Sequence, residues 1–468
     1  MELDLAEMAA LLGTTVVGKA RGSKAVRLCT DSRAVKRGQI FWALKGEKFD
    51  GHKFVGEVFK MGGYAAVVDQ EWLKQNGTPV NVYVPVKDTN AALLSLGKAY
   101  AAKFRIPKVA ITGSNGKTTT KDMITRVLSQ SGPVLATQGN FNNHVGVPLT
   151  LFEIKSFHHF AVIEMGTNHP GEIKVLSECA QPTCAVITNI GDSHLEHFGT
   201  REAIRDEKLT IAAGIQGKGV LVLNVDDPLL SGSRATSRYK LMTYGIDRGQ
   251  IRPEDLAFDA EGRASFRIGR TKFRLNVPGR HNVYNALAAI AVGIHHRIPK
   301  ARIAEALAGF TASKNRLQVK RLAGLTVMDD CYNANPSSTR SALSTLGSFT
   351  TQGRRIAVLG DMLELGEHGE RLHREVGNYL VEMGVDELFT FGTLSRHVNQ
   401  GARDKGLPRA RAHHFADFAL MCEELIKAVS TGDVVLVKAS RGMRLERVFE
   451  FLKEKAKAGA LRGAGERI

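Results

Sequence analysis

The stretch "VAITGSNGKTTTKDMI" (residues 109–124) joins an apolar run to a helical pattern through a glycine turn. A helix that begins at Lys117 would direct backbone N–H groups and the positive end of its dipole toward an anion. Lys117 would neutralise the outer phosphates of a nucleotide, and the Thr118 hydroxyl would bind Mg²⁺. The usual loop of this kind reads G-x-x-x-x-G-K-[ST], whereas Gly113 and Gly116 here give the shorter G-x-x-G-K-T. We interpret the turn as a nucleotide phosphate loop.

Other residues with the chemistry for phosphoryl transfer follow later apolar runs. Glu164 ends the run "FAVIE", which predicts a carboxylate ligand for Mg²⁺ at the edge of a parallel sheet where ligands bind. His194 in "GDSHLEHF" and Lys208 in "IRDEKLTI" are further candidates for residues of a phosphoryl-transfer site. Phosphoryl transfer requires a phosphate cradle, oxygen ligands for Mg²⁺ and cations around the moving charge. These residue types together predict an enzyme that uses ATP and Mg²⁺.

Three segments of different texture would carry these residues. Residues 1–105 contain short strands and turns, and in residues 106–312 apolar runs alternate with helical patterns. That alternation predicts a mostly parallel sheet with helices on its faces. The pattern recurs in residues 313–468, which predicts a second doubly wound, Rossmann-like domain. The predicted fold class is therefore α/β with three domains, of which the first is small.

Composition narrows the class of protein. The chain has 468 residues, of which 43% are hydrophobic and 24% charged, and its formal net charge is +17. This charge favours anionic partners, but the basic residues are scattered and do not choose among nucleotides, nucleic acid and membrane surfaces. The five cysteines are widely spaced, which is typical of a reducing compartment. Because no apolar run approaches the roughly 20 residues that span a bilayer and the start lacks a signal pattern, we expect a cytoplasmic protein.

Seven motifs resemble one family. "TGSNGKTTT" resembles the ATP loop of the Mur ligases and the folylpolyglutamate synthetases, whose usual form is T-G-[ST]-N-G-K-T. The other motifs follow in the order of that family and cover nearly the whole chain: "NFNNHVGVPLTLF", "VIEMGTNHPGEI", "ITNIGDSHLEHFGTREAIRDEK", "PGRHNVYNALAAIAV", "DDCYNANPSS" and "LGDMLELG". The last two resemble the branch that joins D-alanyl-D-alanine to UDP-N-acetylmuramoyl-tripeptide in peptidoglycan synthesis. The D-N-P-R motif of the branch that adds meso-diaminopimelate is absent.

The resemblance implies an activity, its cofactors and its partners. ATP would convert the terminal carboxylate of the tripeptide to an acyl phosphate, which the amine of the dipeptide would attack. It implies ATP and Mg²⁺ as cofactors, those two substrates as partners, and a monomer that neither binds nucleic acid nor inserts into a membrane. It assigns catalysis to Lys117, Glu164, His194 and Lys208. It assigns metal binding to Thr118, Glu164, His194 and, if carbamylated, Lys208.

The resemblance also implies ATP contacts in three segments. The implied residues are Gly113, Asn115, Gly116, Lys117, Thr118, Thr119, His281, Asn282, Asn285, Arg316 and Asp330. Asn282 and Asn285 are three residues apart on a predicted helix and share one face, so both amides could address one ligand. A helix cap would explain Asn282 equally well. Asp329 is the alternative to Asp330 as the acidic residue near the ribose.

The two other substrates are assigned to the outer domains, also by resemblance. The implied UDP-sugar contacts are Ser32, Arg33, Asp50, His52 and Asn143. The implied contacts of the incoming amine are Asn333, Asn335, Lys438 and Arg441, where Arg441 could hold the dipeptide carboxylate in a bidentate fork. The usual family form K-G-S-R-G is K-A-S-R-G here, and Ala439 lacks the backbone freedom of glycine.

Two other functions remain as alternatives. The chain could be another Mur ligase or a folylpolyglutamate synthetase, or it could be a phosphate-loop ATPase that nucleic acid stimulates. The second alternative lacks the interleaved basic and aromatic residues on which bases stack. A protein that only senses nucleotides would leave Glu164, His194 and Lys208 without a role.

Overall fold

The computed structural model describes residues 1, 3–20, 27–47, 49–78, 80–234 and 236–457. This part of the chain contains four sheets. The four-stranded sheet of the N-terminal unit and the six-stranded sheet of the central unit are entirely parallel. The predicted α/β class is confirmed. Among the described residues, no helix is both long and apolar enough to cross a membrane.

The N-terminal unit is a four-stranded parallel sheet in the order β1-β2-β3-β4. Its strands are β1 (Leu28–Cys29), β2 (Ile40–Trp42), β3 (Ala65–Asp69) and β4 (Tyr83–Val86). Its helices are α1 (Leu5–Leu11), α2 (Val55–Lys60), α3 (Gln70–Asn76) and α4 (Thr89–Ala102).

The central unit is a six-stranded parallel sheet in the order β10-β9-β8-β5-β7-β6, with a three-stranded antiparallel sheet beside it. The parallel strands are β5 (Lys108–Thr112), β6 (Val134–Ala136), β7 (Phe160–Glu164), β8 (Cys184–Ile187), β9 (Val220–Asn224) and β10 (Lys240–Tyr244). The antiparallel strands, which the alternation of apolar runs and helices did not predict, are β11 (Glu254–Phe258), β12 (Arg263–Ile268) and β13 (Thr271–Pro278). The helices are α5 (Lys117–Leu128), α6 (Gly146–Leu151), α7 (Glu172–Ala180), α8 (Leu195–Phe198), α9 (Arg201–Leu209), α10 (Arg280–His295) and α11 (Lys300–Ala308).

The C-terminal unit is a six-stranded sheet in the order β14-β15-β19-β16-β17-β18, in which only β14 is antiparallel to its neighbour. Its strands are β14 (Gln318–Leu322), β15 (Leu325–Asp329), β16 (Arg355–Gly360), β17 (Glu387–Phe391), β18 (Ala412–Phe415) and β19 (Val434–Lys438). Its helices are α12 (Pro336–Ser348), α13 (Gly369–Glu382), α14 (Arg396–Asp404), α15 (Phe418–Ala428) and α16 (Arg447–Lys457).

Buried apolar runs explain why the central strands lie inside the sheet. Every residue of β5, β7, β8 and β9 is buried. A parallel sheet with helices on both faces requires such continuous apolar strands, because neither face meets water. The carboxyl ends of β5, β7 and β8 therefore lie side by side at one edge, which is where the candidate site residues follow each strand.

Helix α4 connects the N-terminal and central units. Leu96 is fully buried in a core that the two units share, and the Tyr100 hydroxyl donates to the Ile154 carbonyl at 2.9 Å. A Cβ at Gly97 would lie 3.0 Å from the Pro148 side chain, so the glycine allows α4 to approach α6 closely. The position of the N-terminal unit therefore depends on the packing of this helix.

We expect Leu96→Ala to lower the free energy of unfolding by about 2–5 kcal/mol, because it opens a cavity in that shared core. Chemical unfolding followed by intrinsic fluorescence measures the change. The control is Leu11→Ala, which truncates a side chain that is already 38% exposed and should cost less than about 0.5 kcal/mol. Equal effects of the two substitutions would contradict the assignment of Leu96 to the shared core.

Candidate active site

The phosphate loop follows β5 and is held in place by the end of β8. The Ser114 N–H donates to the Asn189 carbonyl and the Asn115 N–H donates to Asn189 Oδ1, both at 2.9 Å. The Thr188 hydroxyl donates to the Asn115 carbonyl at 2.6 Å. Helix α5 then begins at Lys117. The residues that follow β8 thus fix the loop. The N-terminus of α5, which carries the positive end of the helix dipole, lies at the carboxyl ends of the strands.

Two glycines of the loop cannot carry a side chain. Gly113 has φ +147°, and a Cβ there would lie 1.8 Å from the Thr188 hydroxyl oxygen. Gly116 has φ +79°, and its Cβ would lie 2.5 Å from Asn285 Oδ1. Glycine is required at both positions because the backbone is left-handed or close to it and the neighbouring groups leave no room.

The Lys117 ammonium lies over the loop. Its Nζ donates to the Gly113 carbonyl at 2.8 Å and approaches the Ser114 carbonyl at 3.4 Å. Burial lowers the pKa of Lys117, the Arg316 guanidinium lowers it further, and the Glu164 carboxylate opposes both effects. The Lys117 side chain therefore lies close enough to the Glu164 carboxylate and the Arg316 guanidinium for both charges to act on it.

Glu164 presents its carboxylate at the end of β7. It is only 2% exposed, accepts from the Thr118 hydroxyl at 2.8 Å and accepts from Asn142 Nδ2 at 2.9 Å. A hydroxyl and a carboxylate oxygen side by side are hard ligands of the kind that Mg²⁺ prefers. The donor set therefore fits the predicted metal.

Arg316 lies on the connection between α11 and β14 and reaches the Thr118–Glu164 pair. Its guanidinium donates to the Thr118 hydroxyl oxygen at 2.8 Å and stacks on the Tyr332 ring, with 3.8 Å between Cζ and the ring centroid. The flanking residues Asn315 and Leu317 both have left-handed backbone, with φ of 59° and 52°. The connection thus adopts a costly conformation that places a cation beside the Thr118–Glu164 pair.

His194 lies just before α8, with left-handed backbone at φ 59°. Its Nδ1 is 2.8 Å from Oε2 of Glu364, which belongs to the C-terminal unit and also has left-handed backbone at φ 63°. The pKa of Glu364 is lowered chiefly by the neighbouring His194, against the effect of partial burial. This histidine is therefore in contact with two units of the protein.

Lys208 is buried on α9. Burial lowers its pKa to about 7, the Lys117 charge contributes, and the Glu207 charge opposes the shift. Among the residues that the structure describes, none is hydrogen-bonded to its Nζ. Glu207 binds the N-terminus of α7 instead, accepting from the N–H groups of Gly171 at 2.6 Å and Ile173 at 2.8 Å. That cap fixes α9 and, with it, the direction of Lys208.

The segment of Asn282 and Asn285, which was predicted to contact ATP, turns its amides inward. Asn282 donates to the Pro278 carbonyl at 2.7 Å, and Asn285 donates to Asn282 Oδ1 at 2.9 Å. Asn285 Oδ1 accepts from the Thr120 hydroxyl of α5 at 3.1 Å. His281 is nearby, with its pKa lowered to about 4 chiefly by burial. The structure thus brings this segment to the phosphate loop, with Asn285 holding the helix that follows it.

Three of the four predicted amine contacts have side chains engaged in internal bonds, among them Arg441, which donates to Glu446 Oε1 at 3.4 Å. Lys438 is buried and donates to Asp330 Oδ2 at 2.6 Å and to the Asn333 carbonyl at 3.0 Å. Asn335 caps α12 and donates to Asn115 Oδ1 at 2.8 Å. Asn333 itself is exposed, as is Arg441. Lys438 and Asn335 therefore hold the loops on which Asn333 and Arg441 are presented.

The predicted UDP-sugar residues differ in accessibility. Arg33 is exposed and pairs with Asp31 at 2.8 Å, and Ser32 lies in the same short turn. His52 is buried, with Nδ1 2.7 Å from Asp50 Oδ1 and with Nε2 accepting from a backbone N–H at 2.9 Å. The Ser32–Arg33 turn has polar groups turned outward, and Asn143 is exposed as well. Asn143 accepts from two N–H groups at the start of α6.

Comparison with known proteins gives the family. The Mur ligase middle domain matches residues 111–293, and the Mur ligase, glutamate ligase domain matches residues 315–441. UDP-N-acetylmuramoyl-tripeptide--D-alanyl-D-alanine ligase of Bacillus subtilis (strain 168) is 39% identical over 430 residues, which cover 91% of this chain and 93% of that protein. The chain belongs to the Mur ligase family. The family predicted from the motifs is confirmed.

Solved structures resemble this Mur ligase over nearly its whole length. A crystal structure of MurF from Acinetobacter baumannii has a TM-score of 0.87 at 31% identity, covering 96% of this chain and 98% of that one. The structure of MurF ligase from Thermotoga maritima in complex with ADP has a TM-score of 0.82 at 28% identity, covering 93% and 98%. The arrangement of the three units is therefore that of known enzymes.

Sequence reasoning did not select three residues that the structure places at the site of this Mur ligase. Asn142 binds Glu164, Tyr332 stacks on Arg316, and Glu364 contacts His194. All three lie inside motifs that were recognised, namely "NFNN", "DDCYNANP" and "LGDMLELG". The motifs identified the right segments, but only the fold shows which side chain of each segment faces the site.

We expect Gly116→Ala to lower ADP affinity at least tenfold. A left-handed alanine costs about 1–2 kcal/mol, to which the contact with Asn285 adds, and 1.4 kcal/mol corresponds to tenfold. Calorimetric titration with ADP measures the loss. Gly217→Ala is the matched control, because Gly217 also has positive φ (59°) but its Cβ would meet nothing within 4 Å. Equal ADP affinity of the two variants would contradict the steric argument.

Proposed function

We propose that this Mur ligase joins D-alanyl-D-alanine to the terminal carboxylate of UDP-N-acetylmuramoyl-tripeptide, with conversion of ATP to ADP and phosphate. The observation that carries the proposal is the meeting of Lys117, the Thr118–Glu164 pair and Arg316 at one sheet edge. The name of the Bacillus subtilis relative and the ADP complex of the Thermotoga maritima enzyme support it.

The reaction must make a carboxylate electrophilic. The carboxylate oxygen attacks the γ-phosphorus of ATP, ADP leaves, and an acyl phosphate forms. The neutral amine of the dipeptide then attacks the acyl carbon, and the tetrahedral intermediate collapses to an amide with release of phosphate and a proton. Such transfers depend on positioning and charge neutralisation.

Each residue of the site has its own role in the proposed reaction. Lys117 would leave the carbonyls of its own loop to bind the outer phosphates, and Arg316 would neutralise charge from the opposite side. Mg²⁺, when bound, would reduce the negative charge of the phosphates. Thr118 and Glu164 would hold it, with His194 and the carbamate of Lys208 as further ligands.

Lys208 is proposed to act as a carbamate. A neutral amine adds to CO₂ and loses one proton, which converts the uncharged amine into an anionic oxygen ligand. The pKa of Lys208, lowered to about 7 by burial, keeps much of the amine neutral at physiological pH. The modification would also relieve its repulsion with Lys117.

We expect a carbamate signal in the ¹³C NMR spectrum of protein equilibrated with ¹³C-bicarbonate. Because only the neutral amine reacts, the signal should be strong about one unit above the Lys208 pKa of about 7 and weak about one unit below it. Lys208→Arg, which stays protonated, should lack the signal at both pH values. A signal of the same size in that variant would show that the carbamate lies elsewhere.

The proposal also assigns one substrate to each of the three units and a cellular location to the enzyme. The N-terminal unit would bind the UDP-sugar peptide at the Ser32–Arg33 turn, the central unit ATP, and the C-terminal unit the amine near Asn333 and Arg441. The proposed domain boundaries are residues 1–105, 106–312 and 313–468. Because both ATP and a nucleotide-activated substrate are used, we place the enzyme in the cytoplasm, acting as a monomer without nucleic acid.

We expect phosphate release from ATP and Mg²⁺ only when the UDP-tripeptide and D-alanyl-D-alanine are both present. Testing lysine- and diaminopimelate-containing tripeptides separately identifies the third residue. Glu164→Gln keeps the shape but loses the charge, so it should reduce the rate at least 100-fold, about what the loss of one preorganised electrostatic contact costs. Release that requires no amine, or that DNA or RNA stimulates, would contradict the proposed function.

A further inference from the structure

Glu364 brings a carboxylate of the C-terminal unit to the central site. Its Oε2 lies 2.8 Å from Nδ1 of His194, and the two side chains are 53% and 20% exposed. The two groups lie at ion-pair distance without the alignment of a hydrogen bond, and Nδ1 has no hydrogen-bond partner among the described residues. An anion this close to Nδ1 favours a proton on that nitrogen, which leaves the lone pair of Nε2 free for a metal. Among the residues that the structure describes, none is hydrogen-bonded to Nε2.

The C-terminal unit holds the loop that presents Glu364. The Met362 N–H donates to His373 Nε2 and the Leu363 N–H donates to the Ser440 hydroxyl oxygen, both at 2.9 Å. Ser440 lies in the same "KASRG" segment as the predicted amine contacts, and its hydroxyl donates to the Ala334 carbonyl at 3.1 Å. The carboxylate is thus attached to the segments that are expected to receive the dipeptide.

The central unit holds His194 just as firmly. The Gly191 N–H donates to the Ser114 hydroxyl oxygen of the phosphate loop at 2.8 Å. The Ser193 hydroxyl accepts from Asn335 Nδ2 at 2.8 Å, which joins the histidine segment to the C-terminal unit a second time. The His194–Glu364 contact therefore forms only when the two units are docked.

We propose that Glu364 is a positioning residue that orients His194 toward the metal, so that the metal site is complete only when the amine-binding unit is docked. The inference rests on the proposed function, in which His194 is a metal ligand. It adds to that function a coupling between the place where the amine binds and the place where phosphoryl transfer occurs.

The test is Mn²⁺ binding to the full-length protein, with a non-hydrolysable ATP analogue at saturation, followed by the EPR signal of the free ion. We expect Glu364→Ala to weaken Mn²⁺ binding about 10- to 100-fold and to lower kcat by a similar factor, as removal of the carboxylate partner of a metal-ligating histidine does. The KM for ATP should change little, because the phosphate loop is untouched. Glu364→Gln keeps an acceptor without the charge and should fall between wild type and Glu364→Ala.

A double-mutant cycle with His194→Ala shows whether Glu364 acts on Mn²⁺ binding through His194. If Glu364 acts through His194, Glu364→Ala should have no further effect on Mn²⁺ binding once His194 is removed. Glu367→Gln, which changes an 88%-exposed side chain of the same segment, is the control and should bind Mn²⁺ as wild type does.

Three results would overturn the inference: additive effects in the cycle, unchanged Mn²⁺ affinity in Glu364→Ala, or unchanged Mn²⁺ affinity in His194→Ala. The Mn²⁺ measurements need neither the UDP-tripeptide nor the dipeptide. A wild-type protein that binds Mn²⁺ but shows no amine-dependent phosphate release would therefore count against the proposed function alone.

Discussion

The buried charge of Glu164 is the constraint from which the rest of the site follows. A carboxylate that is almost wholly removed from water is costly unless hydrogen bonds and cations compensate it. The chain meets this need with the Thr118 hydroxyl, the Asn142 amide and the nearby charges of Lys117 and Arg316. These groups come from three separate segments: the phosphate loop carries both Lys117 and Thr118, and Asn142 and Arg316 lie on two further connections.

The same constraint makes the site a junction between units. The Arg316 guanidinium arrives on a connection with two left-handed residues, and Asn335 meets the Asn115 side chain. Polar contacts of this kind have demanding geometry, so they form in one relative placement of the units and are lost in others. The ligand-binding edge is thereby sensitive to where the C-terminal unit lies.

The elements of the site were predictable from sequence because their signals are local. A buried apolar run before Gly113, a helical period after Lys117 and a carboxylate at the end of "FAVIE" each appear within a few residues. Their partners were not predictable in this way. Asn285 binds Thr120 from 165 residues away, and Lys438 binds Asp330 across 108 residues. Because only tertiary packing decides such pairs, amides expected to face a ligand turned out to hold the scaffold.

The side chain of Asn115 limits how freely units of this family can be recombined. It sits in the phosphate loop, yet it accepts from Asn335 and donates to Ser337, both of the C-terminal unit. A chimera that took its last third from a distant relative could fold in both parts and still lack the matching pair at this seam. Modularity in this enzyme thus ends at a few polar atoms, and those atoms must be exchanged together with the unit that they meet.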